Sequence, residues 1–294
     1  MRRLTFKEPN FKCKVKDQAG NEEFRFEYAD SETELRDRLE RLGFDILSIE
    51  PYQFSTWKTK AQAKANAVLL SKKNGEQYEF DSGIWGELKQ YLFALAGDKC
   101  AYCEGRPLAV SSGDVEHYRP KKKVEEDDKH EGYYWLAYEV ENYLPSCEKC
   151  NRARGKMNHF PIGKKGKRAT KPTDDLSKEK ALLLNPFLTD PTPHLKFITG
   201  DDQKQFGIVV GATEIGEVSV TVYNLNRHPL VEERRQVVRD LRTSLSTSFF
   251  YPGYREKLLN DLRAGARAYS SILMATFNDW WEEQKAKVDQ ELNK

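Results

Sequence analysis

The sequence predicts an α+β protein in which a cysteine-bracketed central module carries the chemistry. Three observations predict it. Alternating apolar runs and a leucine-faced helix open the chain, two Cys-x-x-Cys pairs enclose its middle, and apolar residues recur at helical spacing towards its end. With 294 residues, 38% of them hydrophobic and 12% aromatic, the chain can bury a core, and wholesale disorder is excluded. Lys plus Arg (48) nearly balances Asp plus Glu (46), so overall charge points to no partner and local distribution has to decide. There is no long apolar run and no charged–apolar–small leader, which predicts a soluble, cytoplasmic protein with no membrane partner.

The elements follow in order. "FKCKVKD" and "EFRFEY" alternate as strands, and "SETELRDRLERLG" opens with a capping box from Ser31 to Glu34. Leu35, Leu39 and Leu42 share a face of that helix, Gly43 stops it, and "FDILSIE" is the next strand. Residues 1–54 therefore read as a small ββαβ module for packing or docking, with Cys13 a buried apolar residue in its first strand. The hydrophilic stretch 55–80 receives no element, and "SGIWGELKQYLFALAG" from Ser82 reads as one helix running into the first cysteine pair. The central module spans 82–170, and "IGKKGKRATKPTDD" reads as a solvated connection out of it. Residues 171–294 form the C-terminal region, with "FGIVVG" and "VSVTVYNL" as strands before two helices. Val237, Val238, Leu241 and Leu245 face the core on the first helix, which Pro252-Gly253 breaks. Leu258, Leu262, Tyr269, Leu273 and Trp280 form the stripe of the second.

Cys100 and Cys103 make one pair, Cys147 and Cys150 the other. Two residues between thiolates let a single tight turn present both sulfurs to one ion, and four thiolates complete a tetrahedral zinc shell. The alternative is one redox-active pair beside an incidental one, but identical spacing in both argues for zinc. A closed four-sulfur shell leaves no open coordination position, so the zinc is expected to be structural.

Between the pairs stand Glu116 and His117, then Asn142, and Asn151 follows the last cysteine. Neighbours in a strand point to opposite faces, so one can hold a metal while the other takes a proton from water. Alone the dipeptide would read as a surface pair; bracketed by two cysteine knuckles and followed by two asparagines, it reads as a hydrolytic site. His159 is an additional candidate ligand, whereas His130, in "EEDDKHEG", reads as solvated. The aromatic run "YYWLAYEVEN" reads as packing surface. From Lys149 to Arg168 there are eight Lys or Arg residues and no Asp or Glu, and Arg119 and Lys121 to Lys123 follow His117. Arg119, Lys121, Lys122, Arg152, Arg154 and Lys156 are thus the candidate phosphate contacts.

Residues 98–162, with Cys100/Cys103, Glu116-His117, Asn142 and Cys147/Cys150-Asn151, resemble the zinc-bracketed branch of the HNH endonuclease family. The resemblance implies a ββα-metal nuclease module. In it His117 is the general base, Glu116 and Asn151 hold one divalent cation (Mg²⁺ or Mn²⁺), and Asn142 braces the loop that orients His117. Glu116 stands where the family more often has Asp, and Asn151 is a familiar variant of the third His. "HYRPK", "YYWLAYEVENYLPSCEKCNRARGK", "LLLNPFLTDPTPHLKF" and "TVYNLNRHPLVEERR" extend the resemblance over roughly 98–240. They resemble the prokaryotic HNH subfamily that includes the PtuB-like nuclease subunits of Septu and retron-associated anti-phage systems. This implies a metal-dependent DNA endonuclease in phage defence, with an ABC-type ATPase as partner. An RNA target stays open, as does a homo-oligomer. The competing reading is a zinc-knuckle nucleic-acid-binding or scaffold protein whose nuclease site has decayed; the intact set Glu116, His117 and Asn151 speaks against it.

Overall fold

Alternation and capping at the N-terminus produce the elements they predict. The computed structural model describes residues 3–152, 154–200, 205–248, 252–265 and 267–292. Strands β1 (Phe11–Lys16), β2 (Glu22–Glu27) and β3 (Asp45–Pro51) form an antiparallel sheet in the order β2-β1-β3. Helix α1 (Glu32–Arg41) joins β2 to β3 and lays Leu35 and Leu39 on Cys13 and Val15. Ser31 Oγ accepts the Glu34 N–H at 3.2 Å. The Glu34 carboxylate reaches one residue further back than a capping box requires, to the Asp30 N–H at 2.9 Å. Phe26 and Tyr52 on the far side join the cluster that leads to the site.

The stretch left without an element is a long helix, α2 (Phe54–Lys73). Its buried face is Phe54, Trp57, Ala61, Ala65 and Val68, at helical spacing but with alanine at two of the five positions, so it offers little hydrophobic contrast. Trp57 is fully buried and donates its indole N–H to the Ile84 carbonyl at 2.9 Å. The single helix read from Ser82 is two, α3 (Ser82–Gly86) and α4 (Lys89–Leu95). Asp81 caps the first through the Gly83 N–H at 3.0 Å, and the break sets Trp85 apart from the fully buried Leu92 and Phe93.

The centre is a two-stranded antiparallel ladder of β4 (Asp114–His117) and β5 (Tyr143–Ser146), followed by α5 (Glu148–Asn151). Beyond it, β6 (Leu195–Phe197) pairs with β7 (Val209–Gly211), as "FGIVVG" predicts. "VSVTVYNL" is not a strand. Residues 214–222 form α6 (Glu214–Val222), capped by Thr213 Oγ1 on the Gly216 N–H at 3.3 Å. Its buried side is Gly216 and Ser219, leading to Tyr223, a helical stripe of small residues that apolar patterning does not register. Ser219 Oγ takes the Leu184 N–H at 2.8 Å.

Among the described residues three helices, not two, follow: α7 (His228–Ser248), α8 (Pro252–Ala264) and α9 (Ser270–Leu292). The second break lies where Gly265 and Tyr269 take positive φ. The expected stripe is core: Leu241, Leu245, Leu258, Leu262 and Leu273 pack with Phe277. The result is a mixed α+β protein of small sheets and many helices, and among the described residues no helix is long and apolar enough to cross a membrane.

Helix α6 reaches its place through Gly216, where a Cβ would stand 1.9 Å from the His194 carbonyl oxygen. Gly216→Ala is expected to cost on the order of 3 kcal/mol of stability, read as a shifted denaturant midpoint.

Candidate active site

The site is assembled by two turns that meet over the β4–β5 ladder. In the first, the Glu104 N–H returns to the Cys100 carbonyl at 2.9 Å, while the Ala101 N–H bonds the Pro145 carbonyl of β5 at 2.8 Å. In the second, Cys147 follows the last ladder residue, and the Cys150 and Asn151 N–H groups both return to its carbonyl at 3.1 Å. All four sulfurs of Cys100, Cys103, Cys147 and Cys150 lie within 4.8 Å of one another, the one such group of potential metal ligands among the described residues. The Cys103 and Cys147 sulfurs are 3.8 Å apart. Tetrahedral zinc with four bonds of about 2.3 Å needs sulfurs about 3.8 Å apart, so the cluster fits zinc. Arg227 adds guanidinium N–H groups 3.4 Å from Cys150 Sγ and 3.8 Å from Cys147 Sγ, offsetting the negative charge of a thiolate cluster.

The turn also fastens the C-terminal helices. Lys99 Nζ donates to the Gly265 carbonyl at 2.8 Å and to Ser270 Oγ at 2.9 Å, and Glu104 accepts from the Ser271 N–H at 2.9 Å. Both charges are buried, and both bind the junction of α8 and α9.

On β4 the predicted dipeptide divides between two faces. His117 is buried, with the Trp85 ring edge-on at 4.8 Å and Tyr143 at 5.1 Å. Its Nε2 lies 3.0 Å from the Ala137 carbonyl. A carbonyl only accepts, so Nε2 carries the proton and Nδ1 is the bare nitrogen. Lys121 Nζ is 3.4 Å from Nδ1. Burial first, and the Lys121 charge next, push His117 well below its ordinary 6.5, so the ring is neutral around pH 7.

Asn142 links two chain segments through its side-chain amide. It is buried, takes the Arg119 N–H on Oδ1 at 2.7 Å, and returns Nδ2 to the Arg119 and Leu136 carbonyls at 3.0 and 3.2 Å. Those bonds fix the chain on either side of His117's contacts, since Ala137 follows Leu136.

Glu116 is buried on the opposite face, and Lys156 Nζ forms an ion pair with its Oε1 at 2.7 Å. That oxygen has no hydrogen bond of good angle. Burial raises the Glu116 carboxyl above its ordinary value, and the Lys156 charge opposes this. Asn151 donates from Nδ2 to Asp114 Oδ2 at 3.0 Å. Asp114 and Glu116 are two apart on the strand and share a face, and α5 brings Asn151 to Asp114.

Several expected phosphate contacts are engaged elsewhere. Lys156 is wholly buried and also donates to the His117 carbonyl at 3.0 Å, so it cannot serve as a surface contact. The chain turns inward at Gly155, where a Cβ would lie 2.4 Å from the Cys150 carbonyl oxygen. Arg119 pairs with Glu179 at 2.7 Å, a wholly buried carboxylate that also accepts from Tyr133 Oη and the Ala169 N–H. Arg152 forms a two-pronged pair with Asp114, and Lys121 is half-buried beside His117. Lys122 and Arg154 are exposed, as are Lys149, Lys164, Lys165 and Lys167. His159 pairs with Glu126 at 2.9 Å. His130 is not solvated; it is buried, with Nε2 on the Ala169 carbonyl at 2.7 Å and Nδ1 accepting the Gly132 N–H at 3.0 Å. The aromatic run packs inward as expected, with Tyr133, Trp135 and Tyr138 buried.

Sequence reasoning missed Asp114, Trp85, Glu179 and Arg227. Strand alternation could have found Asp114, two residues before Glu116; no local signal marks the other three.

The fold and the cysteine cluster define a mixed α+β protein with a four-sulfur site suited to zinc, bracketing the short ladder that carries a buried histidine. No family model matches the chain, and no solved structure matches it. It is similar to the Septu protein PtuB of Bacillus mycoides (strain KBAB4), 39% identical over 171 residues covering 56% of this chain and 55% of that protein. It is also similar to the Septu protein PtuA of the same strain, 32% identical over 173 residues, 58% of this chain and 23% of that one. A Septu protein PtuB of Bacillus thuringiensis is 30% identical over 153 residues, 50% and 44% of the two chains. This chain thus spans about half, or less, of the length of each relative.

Cys147→Ser is expected to lower bound zinc from one per chain to near none and to reduce the melting temperature, checked by metal analysis beside thermal unfolding.

Proposed function

We propose that this protein is a metal-dependent endonuclease of the HNH kind, acting on DNA in a Septu-type anti-phage system beside an ABC-type ATPase. The observation that carries the reading is the His117 ring. It is buried and neutral, its Nε2–H is committed to the Ala137 carbonyl, and its unprotonated Nδ1 faces Lys121 Nζ at 3.4 Å, one strand position from Glu116. A general base needs a lone pair at working pH and a fixed direction, and this histidine has both. The similarity to Septu proteins supports the defence role, and the similarity to both PtuB and part of PtuA supports a partner from such a system.

The donor set suits a hard divalent cation, with a carboxylate on Glu116 and an amide oxygen on Asn151. Bound there, Mg²⁺ or Mn²⁺ would supply charge stabilisation for the phosphate and the departing oxygen. The protein's own part is to hold geometry and move one proton. His117 Nδ1 takes a proton from the attacking water, and the Ala137 carbonyl keeps the ring from turning as charge develops. Lys156 holds one Glu116 oxygen at 2.7 Å, which fixes the direction of the other. Exposed Lys122, Arg154, Lys164 and Lys165 provide positive charge for the phosphate backbone. Nothing in this set reads base edges, so specificity would come from nucleic-acid shape or from the partner.

Plasmid DNA incubated with the zinc-loaded protein and Mg²⁺ or Mn²⁺ should be nicked or linearised. His117→Ala should slow this by about 10²–10⁴-fold while zinc content and DNA binding stay near wild type. Wild-type rates in that variant would remove the assigned base. Absence of cleavage by the wild type, alone and with an ATPase subunit, would favour a binding or scaffold protein. RNA offered in parallel decides the substrate class.

The pH profile gives a separate check. Because burial and Lys121 lower the folded pKa, His117 stays neutral as pH falls through 6.5, and cleavage should decline only below that value. Lys121→Met removes a charge that opposes protonation, so its acid limb should move to higher pH.

A further inference from the structure

We infer that Asp114 is a positioning residue that, clamped by Arg152, sets the orientation of the Asn151 amide and thereby the affinity of the site for its divalent cation. The inference rests on the nuclease reading of Glu116 and Asn151.

The argument begins with what a carboxylate can do. It only accepts hydrogen bonds, so the Asn151 atom 3.0 Å from Asp114 Oδ2 must be the amide nitrogen. The orientation of an asparagine amide is usually ambiguous, but here the partner decides it. With Nδ2 on Asp114, the amide oxygen is turned away from that carboxylate and is left as the donor for a cation. Without the carboxylate the amide is free to turn either way, and one of the two orientations presents N–H groups to a positive ion.

Asp114 is itself held. Arg152 Nε lies 3.0 Å from Oδ2 and its terminal nitrogen 2.7 Å from Oδ1, a two-pronged geometry that fixes the plane of the carboxylate. The Asp114 side chain is 13% exposed and that of Arg152 is 59% exposed. So exposed a guanidinium adds little to stability, which leaves orientation as the effect of the pair. Asp114 opens β4 in register with Ser146, while Asn151 ends α5 one residue before Arg152. The contact therefore ties the strand carrying Glu116 and His117 to the short helix carrying Asn151. Partners one bond removed from a metal commonly change its affinity by about 10–100-fold.

The test titrates Mn²⁺ into the zinc-loaded full chain and reads unbound Mn²⁺ by electron paramagnetic resonance, with melting temperature and zinc content in parallel. Asp114→Ala should weaken Mn²⁺ binding by about 10–100-fold with zinc content unchanged. Asp114→Asn, which keeps an oxygen to accept the Asn151 N–H, should lose less than about 10-fold. In cleavage assays the Mn²⁺ concentration for half-maximal rate should rise in Asp114→Ala, with kcat at saturating Mn²⁺ close to wild type. Wild-type Mn²⁺ affinity in Asp114→Ala, beside weakened binding in Asn151→Ala, would overturn the positioning role and leave the nuclease reading standing. Equal losses in Asp114→Ala and Asp114→Asn would also overturn it, since the carboxylate charge would then act directly on the ion. If Glu116→Ala, Asn151→Ala and Asp114→Ala all bind Mn²⁺ like wild type, the cation site itself is wrong and both conclusions fall.

Discussion

Four cysteine sulfurs within 4.8 Å of one another are the constraint on which the rest depends. The ladder they bracket is short, four residues from each strand, and a two-stranded ribbon of that size is marginal in water. Closing the Cys100–Cys103 turn onto the Cys147–Cys150 turn ties both ends of the intervening chain to one point. A structural zinc contributes on the order of 10 kcal/mol to folding a unit of this kind, far more than the ladder's own hydrogen bonds.

That anchorage permits an unusually polar interior. Glu116, His117, Asn142, Lys156 and Glu179 are all buried near the ladder, and each has a partner supplied by a distant segment. Buried polar groups are tolerated when they are paired and costly when they are not. The pairing therefore serves two ends together. It makes the interior stable enough to exist, and it fixes His117 and Glu116 in single orientations.

The same turn reaches outward. Lys99 and Glu104 flank the first cysteine pair and bind the junction of α8 and α9, so the C-terminal helices are fastened to the cysteine cluster and not only to one another. On the opposite side, Phe26 and Tyr52 of the N-terminal sheet region pack into the cluster that contains Trp57 and Tyr143, and Tyr143 touches His117. Both flanking regions thus bear on the central ladder.

The sequence by itself picked out the candidate site residues, namely four cysteines at matched spacing, the Glu116-His117 dipeptide, Asn142 and Asn151, along with the first sheet and the leucine stripes of the last helices. Such features are legible because they depend on residue identity and on spacings of a few residues. It did not disclose α2, whose buried face mixes two alanines with Phe54, Trp57 and Val68, or α6, whose buried face is glycine and serine, because neither helix carries much hydrophobic contrast. Nor did it separate Lys156 and Arg119, which turn inward to carboxylates, from Lys122 and Arg154, which face solvent. The tertiary structure alone decided those points. Where a long charged side chain ends is set by partners far along the chain, Glu179 for Arg119 and Glu116 for Lys156, and no local pattern records such a pairing.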